Sequence, residues 1–401
     1  MVRLESVSFN HDSTSATHDA LNIRRDAATW VTVPEWRRSV CVNPEDSPAA
    51  YARNEVAGNA ISIQASFSSD DPLVGKIEVR AVDNIVDPPG QGGCLGWLVR
   101  LLRQLFRALF GNVLGEVATT PVAFVNGASG PVTLALTGTK VGTTAVGTHT
   151  TEWRWQYRTS GGPWVDIEIT RHRIYVVVDV PTAPWQQTPY SASNTQLPWT
   201  AVLDLACQWG MLATTTDEAA AKVTGAVYAL GPGTVEYDCP GGGSSHYSGG
   251  AFACTAFLER VRGGFGNGRY VNCSDCGAIV STFANALGCD LWSSRMGYYF
   301  DLNELLAIGS STWMTACGWF GFSYHEVAWT GACTAADDVW DACLQVDGDA
   351  DPTSAPHTGL LPVKLRFGAP GDMTYRDRLA TPPTRPSCAP DPTTRQRRTV
   401  V

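Results

Sequence analysis

A cysteine at the start of a helix is chemically useful, because the thiolate is its reactive form and the positive end of the helix dipole favours that form. The segment Tyr270-Val271-Asn272-Cys273-Ser274-Asp275-Cys276-Gly277 puts Cys273 in that position. From Cys276 onward the apolar residues Cys276, Ile279, Val280, Phe283 and Leu287 fall on one helical stripe, and Gly288 supplies a stop. Asn272, Ser274 or Asp275 can cap the start. Unpaired backbone N–H groups there would also stabilise an oxyanion during acyl transfer. A lone cysteine at a helix start is more often structural, so its weight comes from its company downstream. His325 lies between aromatic neighbours in the strand-like run 319–329, and Asp341 lies in a second such run, 338–347. A turn around Gly331 and Ala335 joins them, so an antiparallel pair would set imidazole and carboxylate side by side. A carboxylate fixes the tautomer of an imidazole and stabilises its charged form, and the imidazole in turn activates a thiol.

Cys273 opening a helix that closes in Ala286-Leu287-Gly288, then His325-Glu326-Val327, then Trp340-Asp341, resembles the transglutaminase-like cysteine superfamily over roughly residues 240–350. The resemblance implies an α+β papain-like domain. It implies a ping-pong acyl transfer in which Cys273 attacks an amide carbonyl, His325 shuttles protons and Asp341 orients it. Release to water would make a peptidase or amidase, and release to an amine a crosslinking enzyme; the lean is toward hydrolysis. Cys276 stands where the family usually has an aromatic residue, which makes it a rival nucleophile. Asn272, Trp292, Tyr324 and His246 are candidates to line the cleft, although core packing is an equal reading for Trp292. The alternative function is a non-catalytic binding or effector protein that keeps the fold.

Other residue groups carry less. The Cys273–Cys276 spacing raises zinc and redox chemistry, but a structural zinc site wants a second pair and a dithiol site a βαβ context, and neither is present. The run Asp347, Asp349, Asp351 lacks the glycine and distal glutamate of an EF-hand and reads as a solvated loop. His172, between two arginines, reads as a surface residue. Nothing demands a metal or an organic cofactor.

The elements that would hold these residues follow from the rest of the chain. At 401 residues two domains are expected. Alternating runs such as 60–67, 76–82, 132–136, 152–157 and 164–169, separated by Gly, Pro and Asn, predict an all-β sandwich of immunoglobulin type over 29–183. A helix over 95–114 interrupts it, with Arg100, Arg103 and Arg107 on a narrow face. It would cover a sheet edge or the second domain, or else dock on a membrane surface or a protein. Prolines 181, 184, 189 and 198 mark a connector, and the catalytic domain is expected over 184–379. Residues 1–28 are expected as a flexible leader and 380–401 as a disordered tail. A net charge of −9 argues against nucleic acid as principal partner; a protein or peptide substrate is what the resemblance implies. With no apolar signal region in 1–28, residence is expected to be cytoplasmic by default, with most of the twelve cysteines then buried thiols; the alternative is export by another route, with some of them paired.

Overall fold

The structure is a computed structural model that describes residues 1–12, 19–40, 43–56, 60–71, 74–84, 112–187, 194–263 and 268–401. The chain forms two compact units: Met1–Arg25, Thr29–Val180 and Gln187–Ser191 in the first, and Asp26–Ala28, Pro181–Gln186 and Ala192–Val401 in the second. No helix among the described residues is long and apolar enough to cross a membrane.

The first unit is built on β1 (Val2–Ser8), β2 (Trp36–Arg37), β3 (Ala49–Ala52), β4 (Ser62–Ser69), β5 (Lys76–Asp83), β6 (Glu116–Ala123), β7 (Ala128–Thr137), β8 (Gly147–Arg158) and β9 (Val165–Val177). They form one sheet in the order β2-β1-β4-β7-β6-β5-β8-β9-β3. Strict alternation drives it: Ile63, Ala65 and Phe67 of β4 and Ile77, Val79 and Ala81 of β5 are buried while their neighbours are not. Leu4 and Val7 of β1 join Trp153, Trp155 and Ile174 in the same hydrophobic core, so the sheet curls to bury one face against itself. The β6–β7 link is confined to two pairs, Glu116↔Thr137 and Val117↔Leu136. The unit is β-rich as expected; its strands form one sheet that continues through that corner and ends in a parallel β3–β9 pair.

Two expectations change here. The start of the chain is strand β1, paired with β4 and β2, where a flexible leader was expected. His172 is buried, with Phe9 at 4.8 Å and Trp153 at 5.4 Å, because the two-residue strand period sends Arg171 and Arg173 to the opposite face. The expected helix 95–114 lies outside the described residues except for 112–114, which are not helical.

The second unit contains β10 (Glu236–Tyr237), β11 (Tyr270–Val271), β12 (Trp292–Met296), β13 (Phe300–Asp301), β14 (Leu306–Ala307), β15 (Gly321–Phe322), β16 (His325–Trp329), β17 (Asp338–Trp340), β18 (Leu344–Asp347), β19 (Gly359–Leu360), β20 (Leu365–Arg366) and β21 (Pro390–Gln396). Its main sheet runs β20-β17-β16-β12-β21 and is antiparallel. A helix over Cys273–Ala286 lies on β16, every one of its residues buried. Gly277 permits the approach: a Cβ there would stand 3.2 Å from the carbonyl carbon of Val327. Helices Thr200–Trp209 and Thr216–Tyr228 pack on the same element, Trp209 meeting Phe283 at 4.9 Å. The segment from 380 onward is ordered: β21 pairs with β12, and Val400 is buried, where a disordered tail was expected. A disulfide joins Cys239 to Cys317.

Candidate active site

Cys273 is the first residue of its helix. Asn272 caps it by accepting from the Asp275 N–H at 3.0 Å, and Asp275 answers by accepting from the Asn272 N–H at 3.2 Å, a complete capping box. The Asp275 carboxylate does more than cap. It also accepts the N–H groups of His246, Tyr247 and Ser248 at 2.8, 2.8 and 2.7 Å and the Ser248 hydroxyl at 2.8 Å. The glycine- and serine-rich loop ahead of the cysteine is thereby clamped to the helix start.

His325 opens β16 and is fully buried, stacked on Phe322 at 5.4 Å. Its Nε2 stands 3.1 Å from Asp341 Oδ2. Its Nδ1 has no hydrogen-bond partner of good geometry, while the Cys273 thiol lies within hydrogen-bonding reach of the ring and raises its proton affinity. Burial alone would lower the imidazole pKa, but the charge and hydrogen bond of Asp341, with Cys273, outweigh it and hold it near about 10.

Asp341 follows β17, whose pairing with β16 (Ala328↔Trp340, Trp329↔Val339) brings the carboxylate to the imidazole. Oδ1 accepts from the backbone N–H of Cys343 at 2.7 Å and Leu344 at 3.3 Å, and Oδ2 accepts from the Tyr375 hydroxyl at 2.8 Å. Tyr375 was missed by the sequence reading: it comes from a five-residue helix with no motif around it.

The remaining candidates divide. Cys276 is buried; a hydrogen bond with Cys343 favours its thiolate, but burial and neighbouring negative charge prevail and raise its pKa. Asn272 is buried as the cap, its amide donating to the Gly243 carbonyl at 2.8 Å. Tyr324 is half-buried beside the helix start, its hydroxyl 3.5 Å from Ser274 Oγ. His246 is exposed, its ring edge-on to Tyr247 at 4.7 Å. Trp292 is not brought to the site. It is in register with Trp329 while His325 is in register with Met296, and the guanidinium groups of Arg395 and Arg397 cover its ring at 3.3 and 3.7 Å. Tyr237, stacked on Phe322 at 6.3 Å, lines a neighbouring cavity of ≈ 230 Å³ together with the disulfide cysteines, Leu305, Ile308 and Met314. No cluster of three or more His, Cys, Asp or Glu side chains suited to a metal occurs among the described residues.

No known protein family matches the sequence, and no curated protein does either. Among solved structures, a red sea bream transglutaminase aligns with 80% of this chain and 52% of its own, at 11% identity and a TM-score of 0.35. The chain thus spans about half the length of that protein.

Proposed function

We propose that the second unit carries out cysteine-dependent acyl transfer on amide or peptide substrates, with Cys273 as nucleophile, His325 as base and Asp341 as its orienter. One observation carries the reading: a buried imidazole held at 3.1 Å by a carboxylate, its other nitrogen without a hydrogen-bond partner, with a helix-start thiol near enough to raise its proton affinity. In the first half-reaction the Cys273 sulfur, its proton already passed to His325, would bond to the amide carbonyl carbon. The imidazolium would then give that proton to the departing amine, leaving a thioester. Water or a second amine completes the transfer, and hydrolysis is the branch we favour.

Cys276 is the poorer nucleophile, because its thiol is pushed up and already engaged with Cys343. The Cys239–Cys317 disulfide supports residence in an oxidising compartment over the cytoplasm. A second reading, a binding protein that retains the fold, is favoured by one fact: Cys273 is only 5% exposed, so a substrate must displace something to reach it.

Mass-spectrometric mapping of iodoacetamide labelling on the native protein separates the two. Fast, selective modification of Cys273 that disappears in His325→Ala supports the enzyme. Labelling of Cys273 no faster than that of the other thiols sinks it.

A further inference from the structure

Ser274 and Glu326 each follow a proposed catalytic residue, and their side chains touch. The Ser274 hydroxyl donates to Glu326 Oε2 at 2.7 Å. Glu326 is wholly buried, and a carboxylate in that position needs compensating charge. Two arginines supply it: Arg398 at 2.7 Å and Arg295, its cross-strand neighbour, at 3.5 Å. Arg398 is itself buried and lies just beyond β21. Arg295 continues past the carboxylate to lie over the Tyr324 ring at 4.2 Å. Helix and strand are therefore matched at three steps: Cys273 to His325, Ser274 to Glu326, and Gly277 against Val327.

We propose that Glu326, neutralised by Arg398 and Arg295 and bonded to Ser274, is a positioning residue that sets the Cys273 thiol against the His325 imidazole. The inference rests on the proposed roles of those two residues. A purely structural ion cluster would leave their relative placement to the packing of helix on strand. Here the middle rung is a directed hydrogen bond one residue from each partner, and its acceptor is pinned from the far side by the final segment of the chain. Loss of the hydroxyl frees the helix start to shift, and displacements on the order of 1 Å at reacting groups cost up to about a hundredfold in rate.

The test is the pH profile of iodoacetamide alkylation at Cys273 in the full chain, for the parent, Ser274→Ala, Ser274→Thr, Arg398→Ala and Arg398→Lys. Ser274→Ala and Arg398→Ala are expected to slow alkylation at neutral pH by about tenfold or more and to move the midpoint of the profile upward, with Ser274→Thr and Arg398→Lys recovering most of the loss. Ser274→Ala, a small change, keeps the test decisive if Arg398→Ala does not fold. A parent-like rate and midpoint in Ser274→Ala overturns the positioning role. Slow labelling of Cys273 in the parent itself overturns the catalytic reading instead, and the two failures are read from different samples.

Discussion

Asp341 spends both oxygens on named donors, and that determines how its loss would be felt. The Nε2 of His325, the Tyr375 hydroxyl and the N–H groups of Cys343 and Leu344 all converge on it. The imidazole's pKa of about 10 in the fold exceeds the ordinary 6.5. The sign follows: a raised histidine pKa contributes stability that is complete below pH 6.5 and disappears as pH climbs through 10. Asp341→Asn should therefore lower the stability of the second unit most at pH 6, by about 3–5 kcal/mol as for other broken buried pairs. The gap to the parent should narrow toward pH 10. Thermal melts at pH 6, 8 and 10 check this, and a gap independent of pH would show that the histidine is not charged in the fold. The local settings of the candidate residues were legible in the sequence only in part. Cys273 sits at a cap with a helical stripe behind it and His325 opens a strand, whereas the run 338–347 that reads as one strand breaks into β17 and β18, with Asp341 in the gap between them. Tyr375 was not legible, because a tyrosine in a short polar helix carries no local sign of the carboxylate it will meet.

The start of the Cys273 helix is held by an unusual amount of polar chemistry for one turn. Asp275 serves the cap, three loop N–H groups and a hydroxyl from a fully buried position. An ordinary exposed cap in the same unit is Thr215, whose side chain accepts only from the Glu218 N–H at 3.2 Å. Thr215→Ala should cost about 1 kcal/mol. Asp275→Ala should cost about 3 kcal/mol or more, since each buried donor left without an acceptor costs about 1–3 kcal/mol. Urea unfolding of the two variants side by side measures the ratio, and equal losses would mean that water takes over the Asp275 donors freely. Elements differed in how well their sequences announced them. The 273–286 helix carries both its period and its cap in the open. β21 does not, because an edge strand paired only with β12 can be built from Pro, Thr and Arg without an apolar face. β1 is short and its alternation is broken by a register shift between Leu4 and Ser6, which hid Leu4 and Val7 as core residues. His172 was misplaced because flanking arginines suggest solvent, whereas a strand turns successive residues to opposite faces.

Across the molecule, the two units carry their buried charge differently, and acid should find the first unit chiefly through the two groups with the largest shifts. Burial pushes His172 down to about 3, and burial pushes Glu35 up to about 7 despite its bonds from the Phe9 and Asn10 N–H groups at 2.9 and 3.0 Å. The lowered histidine contributes stability above pH 6.5 that is lost as pH falls toward 3; the raised carboxyl contributes stability that grows as pH falls from 7 toward 4.5. Each slope is about 1.4 kcal/mol per pH unit, so these two cancel between 6.5 and 4.5, where the smaller shifts of His149 (down) and Glu168 (up) also oppose each other, and below that range the histidines act. Hydrogen exchange at β8 amides should stay level to about pH 4.5 after correction for intrinsic rates, then rise; His172→Phe should flatten the acid limb. A steady rise from pH 6.5 would mean that Glu35 is charged throughout. In the second unit the Cys239–Cys317 bond, with a sequence separation of 78, closes a covalent ring that contains the Cys273 helix but not His325, Asp341 or Tyr375. A protease nick anywhere inside that ring would leave both halves of the chain tethered across it, so the thiol could be cut away from its partners in sequence and still be carried with them. Only the combination of cleavage and reduction would set it free.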